Sequence, residues 1–312
     1  MRIFPHAVAV IGVAMLAACA PSDYSDGITA FSAAVTKADA AEKALIATDQ
    51  QNTLDLNIAQ VGRGNLAYAP PDPRKCAGDP GPYHAGDCAV QFGGQPFSDA
   101  AETPSLGSVT KYAALLSSVV ADKTCASLDT DAKSLSTAIG DVAKDAGDAK
   151  LAAPAGALET IVSTLSCFAI ESMQLRILKT ATRDANPIIQ AVVKTASDKD
   201  TLLQANALNV TLAQLSAAAV RYRVSHSATD LKQMVTLSQA VEQAQLAPAA
   251  KVIQSLGQLH QTLTDDLQSP AVNLKRIQND AQALVTAAGA LETSAITLAK
   301  PASASAAKAA SP

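Results

Sequence analysis

Apolar residues recur three and four positions apart along most of this chain, the spacing of one helix face. The longest seam is Leu274, Ile277, Ala281, Leu284, Ala288, Leu291, Ala295 and Leu298, about 25 residues and roughly 37 Å of helix. A second seam is Leu158, Ile161, Leu165, Phe168, Leu175 and Leu178, and a third is Val252, Leu256, Leu259, Leu263 and Leu267. Leu and Ala alternate along much of the first, and small residues let helices approach closely. No segment sustains the period-two alternation of a strand, so essentially no sheet is expected.

Punctuation at the ends of these runs divides the chain. Thr103-Pro104, Asn186-Pro187 and Ser269-Pro270 each pair a capping residue with Pro, the signature of a helix start. Ser227 and Asp230 have capping-box spacing, with Asp in place of the usual Glu. Ala153-Pro154 and Ala247-Pro248 mark breaks. The predicted helices span about 23–61, 104–126, 128–149, 155–184, 187–225, 228–246, 249–267 and 270–300, and the second and third are open to being one. The expected fold is all-α: an elongated antiparallel bundle of about seven or eight helices with coiled-coil-like seams, since short connections favour antiparallel neighbours. Residues 19–300 form one domain in this reading. Residues 301–312, a run of Ala, Ser, Lys and Pro, read as a disordered tail.

One stretch departs from the helical pattern. Residues 62–97 hold seven of the 15 Gly and six of the 15 Pro, with Tyr68, Tyr83, Phe92 and Phe97 among them. Residues 62–103 therefore read as one long loop, of a length that is usually functional or disordered. Its aromatics either fasten it to the bundle or present a binding epitope.

The N-terminus carries an address. Arg2 precedes the apolar run Ala7 to Leu16, which is too short to span a bilayer. Leu16-Ala17-Ala18-Cys19 then follows, and it resembles the lipobox of bacterial lipoproteins. That resemblance implies that residues 1–18 are a signal peptide and that Cys19 becomes the lipidated first residue of the mature chain. More than one acyl chain makes such an anchor stable, at about 0.8 kcal/mol per buried CH2. Ala20, in place of Asp, resembles the sorting pattern for the outer membrane of Gram-negative bacteria. The expected localisation is the outer membrane, with the body in the periplasm.

Cysteine usage fits export. Of five Cys, the anchor leaves Cys76, Cys88, Cys125 and Cys167, an even number for an oxidising compartment. The preferred pairing is Cys76–Cys88 within the loop and Cys125–Cys167 between helical segments. A metal reading would use His84, Asp79 and Asp87 beside Cys76 and Cys88, but the spacing matches no zinc ribbon or finger. No metal and no cofactor is expected beyond the covalent lipid on Cys19.

The charge of -4 leaves no basic footprint for nucleic acid. Alanine is about a fifth of the chain and Trp is absent, the composition of a small-residue helical body rather than a disordered acidic one. No Walker A loop, Gly-x-Ser-x-Gly or His-Glu-x-x-His is present, and no His stands three residues after a Glu, so no catalytic residue is assigned. The densest cationic spot is Arg221-Tyr222-Arg223-Val224-Ser225-His226. It either complements a helix C-terminus or binds an anion such as a lipid headgroup or envelope polysaccharide. Tyr83, His84, Phe92, Phe97, Arg221 and Arg223 are thus the candidate binding residues. Lys199, Asn206 and Gln214 sit on or near the apolar seams of 187–225, where a polar residue can fix register.

The function expected from these features is a non-enzymatic, membrane-anchored envelope protein that binds an envelope protein or polymer. A small-molecule or ion receptor with a pocket in the bundle is the alternative, and an envelope hydrolase a third.

Overall fold

The computed structural model describes residues 22–69, 91–93, 95–96, 105–147, 170–270 and 272–309. Its helices are α1 (Ser22–Gly62), α2 (Gly107–Ala121), α3 (Cys125–Asp145), α4 (Ile170–Ser225), α5 (Ala228–Leu246), α6 (Ala249–Gln268) and α7 (Lys275–Ala309). Helix dominates, as the periodicity requires, and the helices form a bundle. Residues 148–169, where the expected helix 155–184 begins, lie outside the described part. The long connection holds three two-residue strands, β1 (Tyr68–Ala69), β2 (Gln91–Phe92) and β3 (Gln95–Pro96), paired antiparallel in that order. They are too short to show as alternation in the sequence.

The seams behave as their spacing predicts. Every residue of the 274–298 seam is buried, and so are Val252, Leu256, Leu259, Leu263 and Leu267. Of the remaining seam, Leu178 is buried and Leu175 half-buried; its earlier members lie outside the described residues.

The order of contacts gives each helix its direction. Gly27 meets Leu274, Lys37 pairs with Glu292, and Thr48 Oγ1 donates to the Ala295 carbonyl. Both numbers rise together, so α1 and α7 run parallel. This corrects the expectation of antiparallel neighbours throughout: first and last helices have no short connection to constrain them. A Cβ on Gly27 would lie 2.4 Å from the Leu274 Cβ, so glycine is what permits that approach.

Helix α4 sets the long dimension. Its 56 residues would span about 84 Å if straight. Asn186 and Pro187 lie inside it, where the Asn-Pro pair predicts a helix start. Pro187 cannot donate to the Arg183 carbonyl, a loss typically costing about 3 kcal/mol in a helix interior. Ile188, Ile189, Val192 and Val193 continue the buried face beyond it, and this packing carries the helix through.

The return path is broken in two. Lys179, Asn186 and Gln190 of α4 bond Gln268, Gln261 and Gly257 of α6, whereas Gln204 and Arg221 bond Ala244 and Gln233 of α5. Helices α5 and α6 therefore lie end to end along α4, antiparallel to it, with Ala247-Pro248 as the break. Gln204 spans that break. Its Nε2 donates to the carbonyls of Ala244 (3.0 Å) and Ala247 (2.9 Å), and its Oε1 accepts from the Ala249 N–H (2.9 Å).

Two further buried side chains serve the ends of α2. The carboxylate of Glu42, fully buried, accepts from the N–H groups of Ser105 (2.7 Å) and Leu106 (2.9 Å), a negative charge at the positive end of a helix. Gln174 Nε2 donates to the carbonyls of Val119 and Asp122, both at 2.9 Å, while its Oε1 accepts from Tyr24 Oη. These bonds divide α2 from α3, and Thr124 caps α3 by accepting from the Ser127 N–H.

Three ends differ from the expected ones. Ser269 closes α6 and α7 begins at Lys275, so Ser269-Pro270 stops one helix rather than starting the next. Thr103 and Pro104 lie outside the described residues, and α2 begins at Gly107. Helix α7 extends to Ala309, into the stretch whose composition predicts a tail.

Candidate functional site

Two places concentrate chemistry: a sealed polar cluster around His260, and the tip where α4 turns into α5.

His260 is fully buried on α6. Its Nε2 lies 3.1 Å from Tyr112 Oη and its Nδ1 3.1 Å from Asn186 Oδ1. The consistent tautomer donates Nδ1–H to the amide oxygen and accepts the phenol proton at Nε2. Burial lowers the His260 pKa to about 3, so the ring is neutral at physiological pH. Burial, and then the Asp184 carboxylate, hold the Tyr112 phenol protonated well above its usual range. Phe31 packs 5.6 Å from the imidazole, centroid to centroid. Closed off in this way, the imidazole meets no solute; the cluster ties α2, α4 and α6 together. Asn186, expected as a helix cap, is part of it, and Asn186 Nδ2 also donates to Gln261.

The tip is open. His226 takes the left-handed conformation (φ 47°) that more often falls to glycine at a helix end, and its N–H reaches the Tyr222 carbonyl at 2.8 Å. Its ring meets Tyr222 edge-on at 5.9 Å. Ser227 caps α5 by accepting from the Asp230 N–H at 3.1 Å, as the spacing predicts. The Asp230 carboxylate does not complete a capping box; it accepts from the hydroxyls of Ser225 (2.5 Å) and Ser227 (2.9 Å), and Ser225 Oγ takes the Ser227 N–H. Those two hydroxyl bonds, Ser225 first, lower the Asp230 pKa.

Arg221 is exposed but engaged: it lies 3.5 Å from Asp230 and donates to Gln233 at 2.9 Å. Arg223, two residues further on, is exposed beside Val224, which is 83% exposed. Val220, Leu212, Leu231 and Val235 are exposed nearby. Between Leu212 and Thr236 the one described residue that is buried is Ala218, so this segment is a two-helix projection without a core. Helical periodicity cannot foresee that, because it counts apolar stripes without saying which is covered.

The other candidates fall as follows. Phe92 lies in β2, opposite Tyr68 and Gln95. Tyr83, His84 and Phe97 lie outside the described residues, as do Cys19, Cys76, Cys88 and Cys167. Cys125 is disulfide-bonded. Among the seam residues, Asn206 is exposed and Lys199 and Gln214 are half-buried, while the polar residue that fastens the helices is Gln204, two positions from Asn206. A surface cavity of about 500 Å³ between α1, α2 and α3 is lined by Asp39, Lys43, Lys111, Asp141 and Lys144, where Lys43 pairs with Asp39 and Lys144 with Asp141. No helix among the described residues is long and apolar enough to cross a membrane, and these residues hold no cluster of His, Cys, Asp and Glu fit for a metal ion.

No protein-family model, curated protein or solved structure matches this chain.

Proposed function

We propose that this chain is a lipid-anchored cell-envelope protein with a non-enzymatic role, a helical bundle tethered at one end that engages another envelope component at the other. Cys19 is the lipid-bearing residue, with residues 1–18 as its signal peptide and the outer membrane as its site. Cys76–Cys88 and Cys125–Cys167 are its disulfides.

The observation that supports this reading is the placement of exposed apolar side chains. Among the described residues the large ones are Leu56, Ile58, Leu202, Leu212, Val220, Val224, Leu231, Val235, Leu246 and Ile296. All belong to the half of the molecule away from the start of α1. That start, at Ser22, is three residues from Cys19. The far half keeps a buried seam as well, but it alone among the described residues also carries large exposed apolar side chains. Exposed apolar surface concentrated in one region marks an interaction site.

The test places a photo-crosslinking amino acid at position 224 or at position 133, on α3, in cells expressing the full chain. Palmitate labelling and membrane fractionation run beside it, with Cys19→Ser as control. The expected outcome is label at Cys19 and discrete crosslinked products from position 224 that position 133 does not give. Equal, indiscriminate products from both positions would sink the interaction role, and unlabelled wild type would sink the anchor.

A further inference from the structure

We propose that the α4–α5 tip docks onto an anionic phospholipid surface facing the membrane that holds the anchor. The inference rests on the lipid-anchored reading above and names what the far end meets.

Tyr24, near the start of α1, bonds Gln174, near the start of α4, so both helices begin at the anchored end. From Gln174 to Ser225 is about 77 Å of helix at 1.5 Å per residue. The turn at residues 226–227 is thus carried far from the start of α1, and it projects with Ala218 as its buried residue among those described.

Over residues 212–236 the cations are Arg221, Arg223 and Lys232, against the carboxylate of Asp230 alone. The chain as a whole carries -4. The positive excess therefore sits at the extremity of an acidic molecule. Asp230 is itself turned inward onto Ser225, Ser227 and Arg221, which leaves Arg223 and Lys232 facing water.

The exposed apolar groups, Val220 and Val224 on one helix and Leu231 on the other, alternate along the chain with those cations at the turn between two helices. Such an end suits a surface whose headgroups and acyl chains rearrange around it: arginine stems lie along the apolar layer with the guanidinium at the phosphates. A few apolar side chains and two or three charges give weak, reversible attachment. The anchor at the other end raises the effective concentration, and weak attachment then suffices to bridge.

The experiment uses the full mature chain, purified with its lipid and reconstituted into phosphatidylcholine vesicles. A second, labelled population of phosphatidylglycerol-rich vesicles is added, and its co-flotation with the first is measured. The expected result is capture of the anionic population, little capture of a phosphatidylcholine control, and release as salt is raised. Arg223→Gln with Lys232→Gln should weaken capture about thirtyfold, roughly fivefold per charge. Val220→Ser with Val224→Ser should weaken it at unchanged charge. All four positions are exposed, and circular dichroism checks that helicity is retained.

Equal capture of neutral vesicles, or capture indifferent to these substitutions, overturns the proposal. So does capture confined to native envelope vesicles and abolished by protease, which would assign the tip to a protein. A chain that does not float with the first vesicles refutes the anchor instead. In that case direct co-sedimentation with phosphatidylglycerol vesicles reads the tip, and failure to sediment refutes the docking.

Discussion

At the residue scale, several buried polar side chains serve backbone ends or one another. Glu42, Gln174 and Gln204 satisfy N–H and carbonyl groups that helix ends leave orphaned. His260 belongs to the same class, and it makes stability depend on pH. Its folded pKa, about 3, lies below the value of about 6.5 expected for an unfolded histidine. The unfolded state therefore binds the proton first as pH falls. Stability from this group is full above about pH 6.5 and declines toward pH 3, by up to about 1.4 kcal/mol per unit. Denaturant unfolding at pH 7, 6, 5 and 4 measures it. His260→Leu lowers stability at pH 7, because Tyr112 and Asn186 lose a partner, and it flattens the acid slope by the histidine share. A slope identical in both proteins would exclude this assignment. In NMR, the His260 ring should stay neutral down to pH 4.

At the element scale, the break between α5 and α6 depends on one side chain. Pro248 precedes α6 without a side-chain cap bond, so Gln204 is the side chain that serves the Ala249 N–H. Gln204→Ala strands the Ala249 donor and the Ala244 and Ala247 acceptors in a buried position. The expected loss is about 2–4 kcal/mol, given about 1–3 for each unsatisfied buried group and partial relief by water. Thermal unfolding measures it, with Asn206→Ala, at an exposed position on the same helix, as the neutral comparison. Gly257 marks another close approach: a Cβ there would lie 2.9 Å from Gln190 Oε1 and 3.0 Å from Val193 Cγ1, and Gln190 also donates to the Gly257 carbonyl. The composition foreshadows such contacts, since small residues on helix seams let backbones come near.

At the scale of the whole molecule, cohesion is uneven. One hydrophobic cluster runs from Tyr24 through α1, α2, α3, the first part of α4, α6 and α7. A separate small one holds Ala207, Ala240, Ala244 and Leu298. Beyond it the α4–α5 hairpin has little buried apolar surface. Local opening should therefore cost least at residues 212–236 and most around Ile177–Val192. Native-state hydrogen exchange should find the tip amides exchanging by low-energy openings and the Ile177–Val192 amides near the global limit. Uniform protection along α4 would contradict this division. A weakly held tip is compatible with docking, because its apolar side chains have no competing interior contact.

The sequence by itself determined the helical class, the buried faces of α6 and α7, the Ser227 cap, and the break at Ala247-Pro248, because each depends on spacing along a single helix or on a local backbone restriction. It also located the cationic cluster at Arg221 and Arg223. It did not give the parallel course of α1 and α7, since direction between distant segments has no local signature. It placed a helix start at Pro187, where packing on both sides outweighs the lost hydrogen bond. It singled out Asn206 and passed over Gln204, because a polar side chain on a seam gains its role from a carbonyl forty residues away. The apolar exposure of the tip was equally hidden. Periodicity shows that a face is apolar, but whether another helix covers it is decided by where α6 and α7 lie along α4.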